Sequence, residues 1–209
     1  MYSKCIFILL INAKTISGSN KFYSINMLQI KLVSTDIEIE QIKLLQEKNL
    51  RQNISDQEAD SQGFLTASYT LEYLREMNAS FPSVIAKDGD KVVGYAMVTT
   101  HEVKEGHDLL KDLFNNIERC SYEGRLLKDT RFVVVGQLCV AKEYRGQDLV
   151  TRMYDFFADA VKEQYEYMAT DVDCDNHRSL KAHAKAGFQV IDSLIYGGKN
   201  WDIVIRKTN

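Results

Sequence analysis

The sequence predicts an α/β domain built on a mixed, partly parallel central sheet with helices on both faces. Strand-like and helix-like segments alternate along the chain with short connections, which is typical of one compact domain. The second half reads strand, helix, strand, helix, strand, and a crossover through a helix can return the next strand parallel to the first. With 209 residues, 45% of them hydrophobic, the chain can bury one substantial core.

The first third of the chain predicts one strand and two helices. Residues 28–33 alternate like a strand, and a Ser-Thr-Asp capping signal precedes a predicted helix over residues 37–49. The polar residues 52–62 predict a loop or a frayed helix. Residues 71–77 predict the second helix, because their leucines lie on one side of it.

The middle of the chain predicts a hairpin and a packing helix. Residues 84–87 and 91–100 are rich in β-forming residues and flank an Asp-Gly-Asp turn. The only proline, Pro82, marks the start of this hairpin. Residues 107–119 carry apolar side chains at the spacing of one helical face.

The last third begins with a predicted strand at residues 131–140 and a helix after Gly146. Residues 167–172 predict the next strand, and a second helix is expected to begin at Asn176. The predicted apolar face of the first of these helices consists of Leu149, Met153, Phe156, Phe157, Ala160 and Val161.

A hairpin is predicted at the end of the chain. Residues 189–196 and 201–206 alternate between apolar and polar side chains, which is typical of strands. Residues 197–200, with the sequence Gly-Gly-Lys-Asn, are the predicted turn between them.

Net charge and cysteine usage limit the class of protein. A net charge of −3 and an isoelectric point near 5.8 give no reason to expect nucleic acid or an anionic membrane as a partner. The four cysteines are scattered, without the close pairs of a metal site or the density of a disulfide scaffold. We therefore expect no metal, and reduced thiols in a cytoplasmic protein.

Residues 1–26 are expected to be an upstream extension or a flexible arm. The apolar run at residues 5–11 resembles the core of a signal peptide, but no clean cleavage site follows it. The run is also far shorter than the roughly 20 residues that span a bilayer. A strand-like pattern starts afresh at Met27, so residues 27–209 are expected to form the single folded domain.

The most informative segment runs from Val133 to Val150, where an apolar strand leads through an Arg-Gly turn into an amphipathic helix. The first N–H groups of a helix lack carbonyl partners and lie at the positive end of its dipole, so they suit a pyrophosphate. Gly146 lets the backbone approach such a ligand, and Arg145 adds positive charge. The alternative is a surface turn with a solvated arginine.

A second motif follows the next predicted strand. Asn176 opens a helix that carries Ser179 and His183 on its later turns, and Gly187-Phe188 follow its end. Together the two motifs resemble the GNAT superfamily of acetyl-CoA-dependent N-acetyltransferases, over roughly residue 83 to the C-terminus. The resemblance implies a GNAT-like α/β fold.

The resemblance also implies which residues hold the co-substrate acetyl-CoA. In this family the pantetheine lies along the main chain of a splayed central strand, and the pyrophosphate lies in the loop after it. Asn176 is expected either to orient CoA as well as cap its helix, or to act as a cap alone. The implied cofactor-binding residues are Leu138, Cys139, Val140, Arg145, Gly146, Gln147, Asp148, Leu149, Val150, Asn176 and Ser179.

The chain departs from the family's phosphate loop at two positions. Asp148 stands where the family usually has glycine, and Val150 replaces a second small residue. A carboxylate in a first turn favours the helix dipole, but it competes with a bound anion for the same N–H groups and repels it. These residues support the alternative of a non-catalytic acyl-CoA-binding or regulatory module with a degenerate loop.

Amine acetylation requires proton transfer and stabilisation of an oxyanion. An alkylammonium with a pKa of about 10.4 must lose a proton to a base or to a water relay. Backbone N–H groups of the splayed strand are candidates for the oxyanion site. His183, with an ordinary pKa of about 6.5, is the leading candidate for protonating the departing thiolate. The alternative is a histidine packed on its helix.

Two further candidates have weaker support. The pair His101-Glu102 follows the predicted hairpin and could supply a base from the acceptor side. Cys139 could be taken for an acyl-accepting nucleophile, but no Cys-His-Asp order supports that role. A buried cysteine is more often a small apolar residue.

The resemblance therefore predicts an N-acetyltransferase that moves acetyl from acetyl-CoA to a primary amine by direct attack. The amine, on a small molecule or a peptide, is not encoded in the sequence; residues 52–74 and 100–131 are expected to border it. The long terminal strands would allow two subunits to share a sheet edge, so a homodimer is one option for the assembly.

Overall fold

The computed structural model describes residues 28–196 and 198–209. The predicted extension at residues 1–26, its apolar run and the predicted domain start at Met27 lie outside the described residues.

The described residues contain nine strands and six α-helices. The strands are β1 (Gln29–Leu32), β2 (Val84–Asp88), β3 (Lys91–Thr99), β4 (Ser121–Tyr122), β5 (Arg125–Leu126), β6 (Phe132–Val140), β7 (Tyr167–Asp173), β8 (Gln189–Tyr196) and β9 (Lys199–Lys207). The helices are α1 (Asp36–Asn49), α2 (Asp56–Gln62), α3 (Leu71–Ser80), α4 (Asp108–Arg119), α5 (Leu149–Val161) and α6 (His177–Lys185).

A mixed sheet organises these elements. Within the described ranges it has seven strands in the order β1-β2-β3-β6-β7-β9-β8, and β6 and β7 form its parallel pair. The other neighbouring strands are antiparallel. The predicted mixed, partly parallel sheet is therefore confirmed.

Helices cover the sheet on both faces. Every residue of β3 after Lys91 is buried, although successive side chains of a strand point to opposite faces. α1 and α3 contact each other and β3, whereas α5 contacts α6 and the first three strands. The core of the domain accordingly lies on both sides of β3 and β6.

The start of α1 follows the predicted capping signal. Thr35 and Glu38 form a capping box, in which each side chain accepts a hydrogen bond from the other residue's backbone N–H. The buried Glu38 carboxylate also accepts from Lys31 at 2.7 Å and from Lys87 at 2.9 Å. These bonds tie the first turn of α1 to β1 and β2.

The structure adds detail to two local predictions and contains one small element that was not predicted. Of the two alternatives for residues 52–62, a loop or a frayed helix, the structure has a helix, the ordered α2, which Ser55 caps through the backbone N–H of Glu58. The predicted final turn is shorter, since Lys199 and Asn200 already pair with β8. The small β4–β5 hairpin was not predicted, because two-residue strands leave no periodic pattern.

The apolar face of α5 is rotated slightly from its predicted position. Tyr154 and Ala158 are buried, whereas Phe156 and Ala160 are half-buried. Tyr154 belongs to the buried face because its hydroxyl has a buried partner on α6.

None of the helices in the described part of the chain has both the length and the apolar character needed to cross a bilayer.

Candidate active site

The strand β6 separates from β7 partway along its length. Their parallel pairing ends at Val134 on β6. Beyond it, Thr170 Oγ1 donates to the carbonyl of Val135 at 2.8 Å, and Tyr69 Oη donates to the carbonyl of Gly136 at 3.1 Å. Within the described part of the chain, the last residues of β6 have no strand neighbour on this side and line open cavities instead.

The edge of β6 that pairs with β3 carries a bulge close to the point where β6 leaves β7. The register with β3 shifts between Ala96 and Val98, opposite Gly136 and the residue after it. A Cβ atom on Gly136 would lie 2.2 Å from Thr99 Oγ1, so only glycine fits there. A bulge bends its strand, and this one lies where β6 leaves β7.

The outer cavity, of about 250 Å³, lies at the carboxyl end of β6. Its walls come from β6, the turn that follows, the first turn of α5, α6, and the segment between α2 and α3. All predicted cofactor-binding residues except Gln147 line it: Leu138, Cys139, Val140, Arg145, Gly146, Asp148, Leu149, Val150, Asn176 and Ser179. Gln147 is exposed, and its side chain donates to the carbonyl of Glu143 at 3.4 Å.

The turn into α5 has the backbone of a glycine-rich loop. Gly146 has a φ of 80°, and Asp148 has a left-handed conformation with φ 60° and ψ 19°. Asp148 thus takes up a conformation that glycine adopts freely, and aspartate is among the few other residues that tolerate it. Its side chain makes no capping bond to α5, so it leaves the N–H groups of the first turn open to an anion.

The Asp148 carboxylate is engaged on the other side. Its Oδ1 accepts from Lys185 Nζ at 2.7 Å and from Thr151 Oγ1 at 2.9 Å. These two hydrogen bonds, and the charges of Lys185 and Arg152, hold the pKa of Asp148 below its ordinary value. The carboxylate therefore stays charged beside the loop, and Lys185 partly neutralises it.

Arg145 turns its guanidinium toward the protein. It donates to the carbonyl of Val140 at 3.0 Å, to Asn49 Oδ1 at 2.7 Å and to Gln62 Oε1 at 3.3 Å. Burial lowers its pKa from the usual value. Arg145 therefore fastens the ends of α1 and α2 to β6 while its charge lies in the wall of the outer cavity.

Asn176 caps α6 and joins it to the segment after α2. Its Oδ1 accepts from the backbone N–H of Ser179 at 3.2 Å, and its Nδ2 donates to the carbonyl of Phe64 at 3.2 Å. Gly63, with a φ of 75°, approaches so closely that a Cβ would lie 2.8 Å from Asn176 Oδ1. The predicted cap is confirmed; the contact with CoA stays a prediction.

His183 is buried, and each of its ring nitrogens has a protein partner. Nδ1 lies 2.8 Å from the carbonyl of Ser179, which can only accept, so this nitrogen carries the proton. Nε2 then accepts from Tyr154 Oη at 2.7 Å. Burial lowers the pKa of His183 to about 4. His183 is therefore a neutral imidazole at pH 7, and its catalytic role stays a prediction.

The inner cavity, of about 120 Å³, lies between the separated parts of β6 and β7. His183 and Tyr154 are among the residues that line it. The two cavities meet, because they share the walls Phe64, Leu65, Leu138, Asn176 and Ser179.

Asp171 is a residue that the sequence analysis did not single out. It lies on β7 and lines the inner cavity. Burial, followed by the nearby charge of Asp173, raises its pKa to about 7. Asp173 pairs with Lys199, whereas no cation of the described residues pairs with Asp171. The signal available in the sequence was an aspartate inside the predicted strand at residues 167–172, with a second aspartate directly after that strand.

The two weaker candidates lie in other surroundings. His101 packs against Phe114 and Phe132, and Glu102 accepts from Ser80 Oγ at 2.7 Å; neither lines the two cavities described above. Cys139 does line the outer cavity, but burial raises the pKa of its thiol to about 12. Such a thiol holds almost no thiolate at pH 7.

Comparison with known proteins identifies a family. The model described as "Acetyltransferase (GNAT) family" matches residues 48–188. This range includes the separated strands, the loop into α5, and α6. No curated protein sequence matches the chain.

Solved structures share the fold at low sequence identity. An acetyltransferase of the GNAT family from Streptococcus agalactiae 2603 has a TM-score of 0.58 and 18% identity, over 86% of this chain and 95% of its own. Ard1 from Thermoplasma volcanium has a TM-score of 0.58 and 16% identity, over 86% and 97%. YncA from Salmonella typhimurium, solved with its cofactor acetyl-CoA, has a TM-score of 0.56 and 13% identity, over 87% and 94%.

Proposed function

Because this chain belongs to the GNAT acetyltransferase family, we propose that it is an N-acetyltransferase that moves acetyl from acetyl-CoA to a primary amine by direct attack. The observation that carries this proposal is the edge of β6 beyond Val134, called the free edge below because no strand of the described residues pairs with it on the β7 side; it runs from the inner cavity to the outer cavity. An unpaired strand edge offers main-chain donors and acceptors to an extended ligand. The pantetheine arm of CoA is such a ligand.

The residues of the outer cavity fit the phosphate end of acetyl-CoA. The first turn of α5 presents free N–H groups, and Gly146 keeps the backbone accessible, since nothing lies within 4 Å of where its Cβ would be. Arg178 and Lys185, both exposed, place positive charge on the wall formed by α6. Arg145 is occupied by other acceptors, so we assign most of the phosphate contact to backbone amides.

Direct attack suits the side chains that line the cavities. Acetyl-CoA supplies an acetyl group already activated as a thioester. The protonated, buried thiol of Cys139 is a poor nucleophile, which argues against a covalent acyl-enzyme. Backbone N–H groups on the free edge of β6 are the proposed donors to the developing oxyanion.

His183 remains the proposed proton donor to the leaving thiolate, provided that its ring can exchange one of its present hydrogen-bond partners. Its single ring proton already donates to the carbonyl of Ser179, and Nε2 accepts from Tyr154. To act as a donor, the ring must exchange one of these partners when the site is occupied. The Ser179 hydroxyl, 3.3 Å from Nδ1, is the nearest alternative partner.

We place the enzyme in the cytoplasm, acting on a small-molecule or peptide amine. Cys120, Cys139 and Cys174 are free thiols in the structure, which suits a reducing compartment.

Calorimetric titration of the full chain with acetyl-CoA and with desulfo-CoA tests this function. We expect a dissociation constant in the micromolar range, equivalent to about 8 kcal/mol, for both ligands. Release of CoA thiol in the presence of primary amines would then measure transfer. Absence of binding at millimolar acetyl-CoA would reject the assignment.

The second candidate function is a non-catalytic acyl-CoA-binding or regulatory module. The observation that favours it is the charged Asp148 at the glycine position of the phosphate loop. Binding of acetyl-CoA without acetylation of any amine would support this module.

A further inference from the structure

The inner cavity is lined by carboxylates and by large apolar side chains. Asp171 lies on β7, and Asp173 follows two residues further along the same strand. The apolar lining comes from α4, the segment after α2, and β9, where Trp201 is the strand neighbour of Asp173; its residues are Leu109, Leu110, Leu113, Phe64 and Trp201. Such a cavity offers both a charged and an apolar contact to an amphipathic amine.

Asp171 lines the cavity that a nitrogen nucleophile would enter to reach the edge of β6. It belongs to the part of β7 that has left β6, and it lines the same cavity as Gly136, Gln137 and Leu138 of the free edge. Leu138 also lines the outer cavity, so the edge connects the proposed thioester path to the carboxylate. Gln137 itself is committed elsewhere: it accepts from Tyr95 at 2.6 Å and donates to the carbonyl of Ala67 at 2.8 Å.

We propose that Asp171 is the catalytic base of this site, and that its substrate is a primary alkylammonium bearing a compact apolar group. This inference rests on the proposed function and defines its acceptor side. The ammonium group lies against Asp171, and the apolar group packs against α4 and Trp201.

The protons and bonds of the transfer balance through this residue. The ammonium group gives one proton to the Asp171 carboxylate, and the free amine attacks the thioester carbon. The C–N bond forms as the C–S bond breaks, and the second amine proton reaches the leaving thiolate through the proposed donor His183. Asp171 then releases its proton to solvent, which leaves an N-alkylacetamide and CoA thiol.

The surroundings of Asp171 suit a base that works near neutral pH. Burial and the charge of Asp173 raise its pKa to about 7, so the carboxylate is half ionised at that pH. Among residues 28–196 and 198–209, the other ionisable groups around the cavity do not add a free cation: Lys199 pairs with Asp173, and His183 is neutral. These titratable and charged groups are Tyr69 from the segment before α3, Tyr154 from α5, His183 from α6, Asp173 from β7 and Lys199 from β9.

The volume of the inner cavity sets the size of the apolar group. About 120 Å³ corresponds to roughly four water molecules at their volume in the liquid. An apolar group no larger than a single ring matches this space, whereas the strongly hydrated cations of a polyamine would lose solvent against leucine side chains.

A matched pair of amines isolates the role of Asp171. The full chain is tested with 2-phenylethylamine, which is protonated at neutral pH, and with O-benzylhydroxylamine, which has nearly the same shape and is already neutral. The variant is Asp171→Asn, and the control is Asp175→Asn, an exposed aspartate outside both cavities. Thiol release gives kcat/KM, and calorimetry gives the affinities for acetyl-CoA and for 2-phenylethylamine alone.

We expect Asp171→Asn to lower kcat/KM for 2-phenylethylamine by about 100-fold, a typical loss for removal of a general base. O-benzylhydroxylamine should lose little, because it needs no initial deprotonation. Asp171→Asn should also weaken binding of 2-phenylethylamine in the absence of acetyl-CoA, while Asp175→Asn matches the wild type. For the wild type, kcat/KM with 2-phenylethylamine should decrease as the pH falls below about 7. This decrease, the acid limb of the pH profile, should be absent in Asp171→Asn.

The possible outcomes distinguish a failure of the Asp171 assignment from a failure of the proposed function. An equal loss for both amines, or a variant that keeps the limb near pH 7, would overturn the assignment of Asp171. Intact acetyl-CoA binding with faster acetylation of spermidine than of either aromatic amine would overturn the apolar substrate class. Failure of the wild type to bind acetyl-CoA would instead refute the proposed function itself.

Discussion

Asp148 combines a left-handed backbone with a charge beside the proposed phosphate site. Replacing it with glycine removes the carboxylate, suits the φ of 60°, and releases Lys185 to face the outer cavity. We expect Asp148→Gly to lower the dissociation constant of acetyl-CoA about fivefold, because one like charge near the pyrophosphate is lost. Calorimetry at low and high salt measures this effect.

Asp148→Asn is the matched control for that experiment. Asparagine keeps a side chain that tolerates the left-handed region but removes the charge. If repulsion dominates, both variants bind acetyl-CoA more tightly, and the gain shrinks at high salt. Unchanged affinity in both variants would argue that the pyrophosphate lies away from this turn.

His183 gives the free energy of unfolding a specific dependence on pH. Its pKa is about 4 in the folded protein and about 6.5 in an unfolded chain, so the unfolded state binds a proton more readily. The stability of the fold therefore decreases as pH falls from about 6.5 to about 4, by up to about 3 kcal/mol. Denaturant unfolding at several pH values measures this.

His183→Gln is the comparison variant, since glutamine keeps hydrogen-bonding groups but does not titrate. We expect its unfolding free energy to change less over the same pH range. Parallel curves for the two proteins would show that His183 is not buried in its neutral form.

Single residues show where sequence information ends. The sequence identified ten of the residues around the outer cavity through motif positions, because Gly146 and Asn176 have local roles in a turn and a cap. It proposed His183 through its position in the family motif; the carbonyl of Ser179 that holds the ring lies one turn back on the same helix, whereas the hydroxyl of Tyr154 is a tertiary partner. Asp171 became a candidate only when the separation of β6 and β7 was known.

At the scale of elements, α1 depends on one buried carboxylate. Glu38 closes the capping box and accepts hydrogen bonds from Lys31 on β1 and Lys87 on β2. We expect Glu38→Gln to destabilise the fold by about 2 kcal/mol, because two partly buried lysines lose their anionic partner. Glu40→Gln, an exposed change on the same helix, should have little effect.

The pH dependence of this anchor has its own range. The lysines hold the pKa of Glu38 near 2, below the ordinary value of 4.5. The stabilisation by the carboxylate is therefore complete above about pH 4.5 and is lost as pH falls toward 2. Acid unfolding of the wild type and of Glu38→Gln measures this pH dependence. If the stabilities of the two proteins already coincided at pH 5 and differed only above it, this account would be contradicted.

Elements with strong local patterns were predicted, and their long-range arrangement was not. The hairpin of β2 and β3 follows from its turn, and α1 follows from its cap. Glycine is required at the bulge by the contact of Gly136 with Thr99, which lies far away in the sequence. The opening between β6 and β7 at the same place could be inferred only through the family resemblance.

The whole molecule is expected to fold as one unit over residues 27–209. The hydrophobic core is continuous from Val33 to Ile205, and the pairing of β3 with β6 joins the strands of the first half of the chain to those of the second half in one sheet. We expect a protein of residues 27–209 to unfold in a single transition and to bind acetyl-CoA within about twofold of the full chain. Calorimetric unfolding and titration of both lengths test this, and two separate transitions would contradict it.

The link from Arg145 to Gln62 has a consequence for engineering the acceptor. The segment after α2 contributes walls to both cavities, and Arg145 fastens the end of α2 to the carbonyl of Val140. A library that extends from this segment to Gln62 would also alter the support of the phosphate loop. Substitutions at Gln62 could then be mistaken for changes in amine preference, although they act by weakening the binding of acetyl-CoA. A selection for new acceptors should therefore keep Gln62 fixed.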